Sequence, residues 1–271
     1  MLKHLRPDST LLRKLLLTSL LTLVILAPMY VKAVDTTYSL TLNIDPIGSG
    51  SVIANVTGPY NNGQAVLLNA TGNPGWSFSA WSGNLTGTEN PKSITIDGNM
   101  SVTASFTQDE YTLNIIEVGS GSVATNISGP YNYGDLVELT AVPDLGWTFS
   151  AWSGDLTGAS NPASITMNSS KTVTATFTKK SSTQLIQELI EKVEQYRDSG
   201  DIDNNGIANS LIVKLEAANA QLESGNTKAA GNILNAFINH VEAQHGKKNK
   251  HITEDAAHQL IEDAEYILSQ L

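Results

Sequence analysis

The sequence predicts a multidomain chain, β then α: two tandem small all-β repeats, β-grasp-like or sandwich-like, and then a C-terminal up-down four-helix bundle. Three observations predict it. Residues 48–107 overlay residues 119–178 at a constant offset of 71 without a gap, with 35 identities in 60 positions. Inside each copy apolar residues alternate with polar ones. After Lys179-Lys180-Ser181-Ser182 the alternation and the tryptophans stop and a helical period begins. Self-similarity over a whole unit means tandem copies of one small domain. The expected boundaries are a 1–33 leader, repeats over 34–108 and 109–180, and helices over 181–271.

The leader comes first. Lys3, Arg6, Arg13 and Lys14 precede an apolar run from Leu15 to Ala27, and Val31-Lys32-Ala33 supplies small residues at the usual cleavage spacing. A basic start, a short apolar stretch and a small-residue exit read as an export signal cut after Ala33. The run is shorter than the roughly 20 residues that cross a bilayer; if left uncut, the segment is the one route to a membrane. The chain has no cysteine, which excludes disulfides, thiolate metal sites and a thiol nucleophile. Removing the leader takes away five of the 16 basic residues and one of the 26 acidic ones, so the remainder carries 11 minus 25, or −14. Such a charge repels phosphate backbones and argues against nucleic acid as a partner.

In the first repeat, Leu40, Leu42 and Ile44 alternate with polar residues, as do Val66 with Leu68, Ile94 with Ile96, and Val102, Ala104 and Phe106. Period two places one strand face on a core and the other in water. Gly48-Ser-Gly50, Gly58-Pro-Tyr-Asn-Asn-Gly63, Asn73-Pro-Gly75 and Asp97-Gly98 separate about six strands as turns. Only Gln108-Asp109-Glu110 joins the copies, so the expectation is a stiff rod of adjacent units.

The repeated aromatics divide by face. Trp76, Phe78 and Ala80 share one strand face and are expected in the core. Trp81 points the other way unless a bulge intervenes, and Tyr60 lies in a loop. Tyr60, Trp81, Tyr131 and Trp152 are therefore the candidate binding residues, since flat amphipathic rings stack on sugars. Six Asn-x-Ser/Thr sequons, at Asn55, Asn69, Asn84, Asn99, Asn126 and Asn168, permit N-glycosylation; about four are expected by chance at this composition.

The helices follow from periodicity. Leu185, Ile186, Leu189, Ile190 and Val193 mark the first, capped by Ser182 or Thr183. Leu211, Ile212, Leu215, Ala218 and Leu222 mark the second, stopped by Ser224-Gly225-Asn226. Ile233, Leu234, Phe237, Ile238 and Val241 mark the third, ended by Gly246 and the basic run 247–250. The fourth opens at Thr253 and carries Leu260, Ile261, Ala264, Ile267 and Leu268.

Two constellations in this region could hold a metal. Asp201-Ile-Asp203-Asn-Asn205-Gly206 opens like a calcium loop, but its twelfth position is Ile212, where a bidentate carboxylate belongs. Asp201, Asp203 and Asn205 are read as a weak calcium candidate and preferably as a helix-connecting turn with an Asn cap. His240 and His245 stand five apart, which splays them by roughly 140° around a helix; with His251 and His258 they are read as boundary or solvated histidines. No nucleophile elbow, P-loop or dinucleotide fingerprint is present, and the Gly-Ser-Gly-Ser runs precede strands. No catalytic residue, no cofactor and no metal is assigned.

The pattern Gly-Trp-x-Phe-Ser-Ala-Trp-Ser-Gly-(Asn/Asp)-Leu-Thr-Gly, followed by Asn-Pro, Ile-Thr-(Ile/Met) and Val-Thr-Ala-x-Phe, resembles the divergent InlB B-repeat over roughly residues 38–178. The resemblance implies a prokaryotic surface location, a spacer or adhesive role, and a β-grasp-like relation. Gly200-Asp-Ile, Gly206-Ile, Ser210-Leu211, Lys214-Leu215, Gly225-Asn226 and Ala236-Phe237-Ile238-Asn-His240-Val241 resemble the FIMAH-type helical module. That resemblance implies a secreted prokaryotic chain and names no mechanism. The expected function is a secreted or cell-surface, non-catalytic structural or adhesion protein whose helical part meets an extracellular or surface protein. The alternative is a glycan-binding surface module using the repeated Trp and Tyr positions.

Overall fold

The computed structural model describes residues 36–245 and 251–271. The export signal with its cut after Ala33, and Gly246 with the basic run 247–250, lie outside the described residues. The chain forms two compact units that divide at Thr107/Gln108, with Pro74–Trp76 counted in the second.

The first unit is the first repeat. Its main strands are β2 (Leu40–Asp45), β3 (Gly50–Ala54), β5 (Ala65–Gly72), β6 (Trp76–Gly83), β7 (Lys92–Thr95) and β8 (Met100–Gln108), with β1 (Thr37–Tyr38) and β4 (Tyr60–Asn61) as a two-residue ladder. They make two three-stranded sheets, β2-β8-β6 and β3-β5-β7. The first and last long strands run parallel, Leu40 beside Met100 through Asp45 beside Ser105. Val66, Leu68, Ile94, Ile96, Val102, Ala104 and Phe106 are buried, the alternation expected from the sequence.

The second repeat repeats this plan. It uses β9 (Leu113–Val118), β10 (Gly121–Thr125), β11 (Leu136–Pro143), β12 (Trp147–Gly154), β13 (Ala163–Thr166) and β14 (Lys171–Lys179). The sheets are β12-β14-β9 and β10-β11-β13. Both turn side chains into one core: Val137 and Leu139 from β11, Ile165 from β13, Val173, Ala175 and Phe177 from β14. With two sheets around one core and no helix between residues 113 and 179, this is the sandwich-like form of the two that the sequence allowed.

Four helices complete the second unit: α1 (Ser182–Ser199), α2 (Asn205–Glu223), α3 (Thr227–His245) and α4 (Glu254–Ser269). Each packs on the next and α4 returns to α1, the neighbour pattern of an up-down bundle. One stripe from each helix makes the core, with Leu189, Leu211, Leu215, Leu234, Phe237 and Leu260 among its members. The first cap is Ser181, one residue before the expected Ser182 or Thr183. Its hydroxyl accepts from the Gln184 N–H while the Gln184 side chain accepts from the Ser181 N–H. This reciprocal arrangement satisfies two helix-end donors and needs Gln three residues on, which fixes Ser181 as the cap. Asn204 and Thr253 cap α2 and α4.

His240 of α3 is half-buried beside α2. Its Nδ1 lies 3.2 Å from Lys214 Nζ, which also meets Ser210 Oγ at 3.1 Å. Burial, and then the lysine charge, hold the imidazole below the ordinary histidine range, so it is neutral in the fold.

Two expectations follow. At Gly121 an added Cβ would meet the Phe177 ring at 2.6 Å. Gly121→Ala should therefore destabilise the second repeat by about 1–3 kcal/mol, the usual penalty of overpacking, read as a lower urea midpoint. For His240, the unfolded chain takes up a proton at the ordinary histidine value of about 6.5, while the folded chain resists it. Stability should fall as pH drops through that value, because the unfolded state then binds more protons. His240→Gln should flatten this part of the stability–pH curve, measured by thermal melting between pH 7.5 and 5; an unchanged slope would mean that another group carries the acid sensitivity.

Candidate functional site

The repeated Trp strand is where sequence and structure differ most. In β12 the pairing with β14 shifts register between Phe149 and Ala151. This bulge leaves Ser150 as an extra residue, so Trp152 falls on the same side as Phe149 and not opposite it. Trp152 and its counterpart Trp81 are each only 2 % exposed, the reverse of the outward position expected for them. Phe149 and Trp152 sit with ring centroids 4.8 Å apart, and Phe78 and Trp81 5.0 Å apart. Trp76, Phe78, Trp147 and Phe149 are the half-buried members of the same cores.

The polar end of each indole is also engaged. Trp81 Nε1 donates to the Glu89 carbonyl at 2.9 Å and Trp152 Nε1 to the Ser160 carbonyl at 2.8 Å. Backbone bridges join Trp81 to Gly87 and Trp152 to Gly158, so the following loop wraps each ring. Tyr60 and Tyr131, each 6 % exposed, donate their hydroxyls to the Val56 and Ile127 carbonyls. A sugar platform needs an open ring face and a free polar edge. The four residues chosen as binding candidates have neither: they are core, and the structure corrects their expected exposure.

The calcium-like loop has a different use. Ile202 pairs with Ile252 in a backbone bridge, and both are buried at one end of the bundle. Asp203 Oδ1 meets His251 Nδ1 at 2.7 Å, and Thr253 Oγ1 donates to Asp201 Oδ1 at 3.2 Å. Asn204, not Asn205, caps α2, accepting from the Gly206 and Ile207 N–H groups. Asp201 and Asp203 thus belong to a clasp that ties the α1–α2 connection to the start of α4, while Asn205 is the exposed first residue of α2. His245 and His258 line a groove with Glu242 and Glu254. Among the described residues no group of three or more His, Asp or Glu side chains is placed to hold a metal ion.

The second repeat is joined to the helices through the turn before β12. Lys180 N–H donates to the Gly146 carbonyl at 2.9 Å, and Lys180 Nζ pairs with Glu188 at 2.7 Å. Gly146 has φ +77°, and the space that a Cβ would need is filled by the Tyr266 ring of α4. Beside it Leu145, Leu185, Leu189, Tyr266 and Ile267 line a recess of about 90 Å³, with the Lys192–Asp263 ion pair at its edge. Pockets for small molecules run to roughly 300–1,000 Å³. The recess is a seam between two packed parts, and its size excludes a drug-sized ligand. The sequence gives no sign of this joint, because Leu145 and Tyr266 lie far apart and neither sits in the repeated motif.

The comparisons agree with this division of the chain. Residues 40–110 and 111–181 each match the divergent InlB B-repeat domain, and residues 186–269 match the FIMAH domain. No curated protein matches the chain. Both domain types are non-catalytic surface or repeat modules, typical of bacterial surface or adhesion proteins. No helix among the described residues is long and apolar enough to cross a membrane. With two matches that together cover more than half its length, the chain belongs to the divergent InlB B-repeat family, its two tandem repeats followed by a FIMAH domain.

Proposed function

We propose that the chain is exported and acts outside the cytoplasm as a non-catalytic structural or adhesion protein. In this reading the β-repeats serve as a spacer, and the helical module meets a protein of the cell surface or its surroundings. The observation that carries it is that the candidate ligand groups are already engaged by other groups of the chain. The Trp and Tyr polar atoms are bonded to backbone carbonyls, and Asp201 and Asp203 are held by Thr253 and His251. What remains for an outside partner is surface. The basic, then apolar, then small-residue order of residues 3–33 supports export. The net charge of −14 after its removal, from 11 basic and 25 acidic residues, favours a soluble chain that stays clear of nucleic acids.

Fractionation of the producing cells, with N-terminal sequencing of the recovered chain, tests the reading. The expected result is a chain beginning at Val34 in the envelope or medium. Cross-linking there should trap a protein through lysines of the helical module, such as Lys214 or Lys228. A full-length chain confined to the cytoplasm would overturn the proposal.

A further inference from the structure

The six sequon asparagines, Asn55, Asn69, Asn84, Asn99, Asn126 and Asn168, are all solvent-exposed. Other asparagines of the β region use the amide nitrogen to hold the fold. Asn90 Nδ2 donates to the Ala70 carbonyl at 2.7 Å, and Asn161 Nδ2 to the Ala141 carbonyl at 2.8 Å. Asn43 Nδ2 donates to Ser101 Oγ and Asn73 Nδ2 to the Gly48 carbonyl. None of these four begins a sequon.

Four of the six sequon asparagines present the opposite end. Asn55 Oδ1 accepts from the Leu67 N–H and Asn126 Oδ1 from the Glu138 N–H, both at 2.8 Å. Asn84 Oδ1 accepts from the Ser101 N–H, and Asn99 Oδ1 from the Ser39 N–H, both at 2.9 Å. A backbone N–H can only meet the amide oxygen, so the orientation is fixed and Nδ2 faces away. The second copy shows what the fold needs there. At the place of Asn84 stands Asp155, whose Oδ2 accepts from the Thr172 N–H at 2.7 Å. Asn69 and Asn99 correspond to Thr140 and Ser170. The fold needs an oxygen acceptor at the Asn84 position, and no amide nitrogen is present at the others. By contrast Asn90 and Asn161, which donate through Nδ2, are asparagine in both copies.

We propose that these exposed amides are acceptors for N-linked glycans, foremost Asn55 and Asn126, the sequon kept in both repeats. Each follows a strand, β3 or β10, in an exposed bend, with the exposed hydroxyl of Thr57 or Ser128 two residues on. The donor is a lipid-linked, phosphate-activated oligosaccharide. A bond forms between Nδ2 and the anomeric carbon, the bond from that carbon to the phosphate oxygen breaks with its electron pair going to that oxygen, and the proton lost from Nδ2 ends on the departing lipid phosphate or on solvent. The inference rests on the export reading, since such donors are used outside the cytoplasm.

Peptide and intact mass spectrometry of the chain recovered from the envelope or medium of its own cells tests it. Peptides spanning Asn55 and Asn126 should carry a sugar mass, and Asn55→Gln and Asn126→Gln should each lower the intact mass by one glycan. Asn84→Asp is the folding control, because the second repeat already carries Asp there. An exported chain whose Asn55 and Asn126 peptides have only their amino-acid mass overturns the proposal and leaves export standing. A chain found solely in the cytoplasm overturns both.

Discussion

Each β-repeat depends on placing one tryptophan inside a domain of about seventy residues that has no disulfide to help it. Small units bury a modest fraction of their surface, so one large ring accounts for much of what the core can offer; removing a buried Trp side chain typically costs about 3–5 kcal/mol. The ring must also satisfy its N–H, and it does so on the carbonyl of Glu89 or Ser160. That bond fixes the loop after the Trp strand, and the bridge to Gly87 or Gly158 closes it. The Asn90 and Asn161 side chains then return from this loop to the backbone of β5 and β11 at both N–H and C=O. One buried indole therefore organises the loop, and the loop connects the two sheets.

This arrangement explains why the Ser-Ala-Trp-Ser-Gly stretch is so well preserved between the copies. A binding surface could diverge between two repeats in one chain, whereas a core with a single ring solution cannot. The outer faces do differ: Leu67 and Leu136 are exposed apolar residues at positions where the other copy has Glu138 and Ala65. Identity is concentrated inside the fold and at its turns, and variation lies outside. The helical module follows the same economy, with its acidic loop used as a clasp between connections.

Much of the fold was legible in the sequence because period-two and period-3.6 patterns report burial directly. Val66, Leu68, Val102 and Phe106 fell on the expected face, as did Leu189, Leu215 and Phe237. Trp152, and with it its counterpart Trp81, turns inward because a bulge interrupts the alternation, the exception under which the sequence reading leaves the ring off the outer face. The sign available was the three-residue spacing from Phe78 to Trp81, which brings both rings inward only if one residue is skipped. Tyr60 and Tyr131 were missed for a related reason: a loop position does not report that a ring folds back under its own turn. The Asp201–Gly206 stretch carries a true turn signal, and the turn is the preferred reading; the partners of its carboxylates, His251 and Thr253, are not legible there because they are distant in sequence. The seam at Gly146 and Tyr266 is likewise a meeting of residues far apart along the chain.

Acrylamide quenching of tryptophan fluorescence on the doubly substituted chain Trp76→Phe/Trp147→Phe tests the buried indoles most directly. Only Trp81 and Trp152 then remain of the four tryptophans. Blue-shifted emission that acrylamide barely quenches is the result expected of two rings enclosed by their own loops. Red-shifted emission quenched as freely as that of a short peptide, in a chain that still melts cooperatively, would place the rings on the surface and contradict the core assignment.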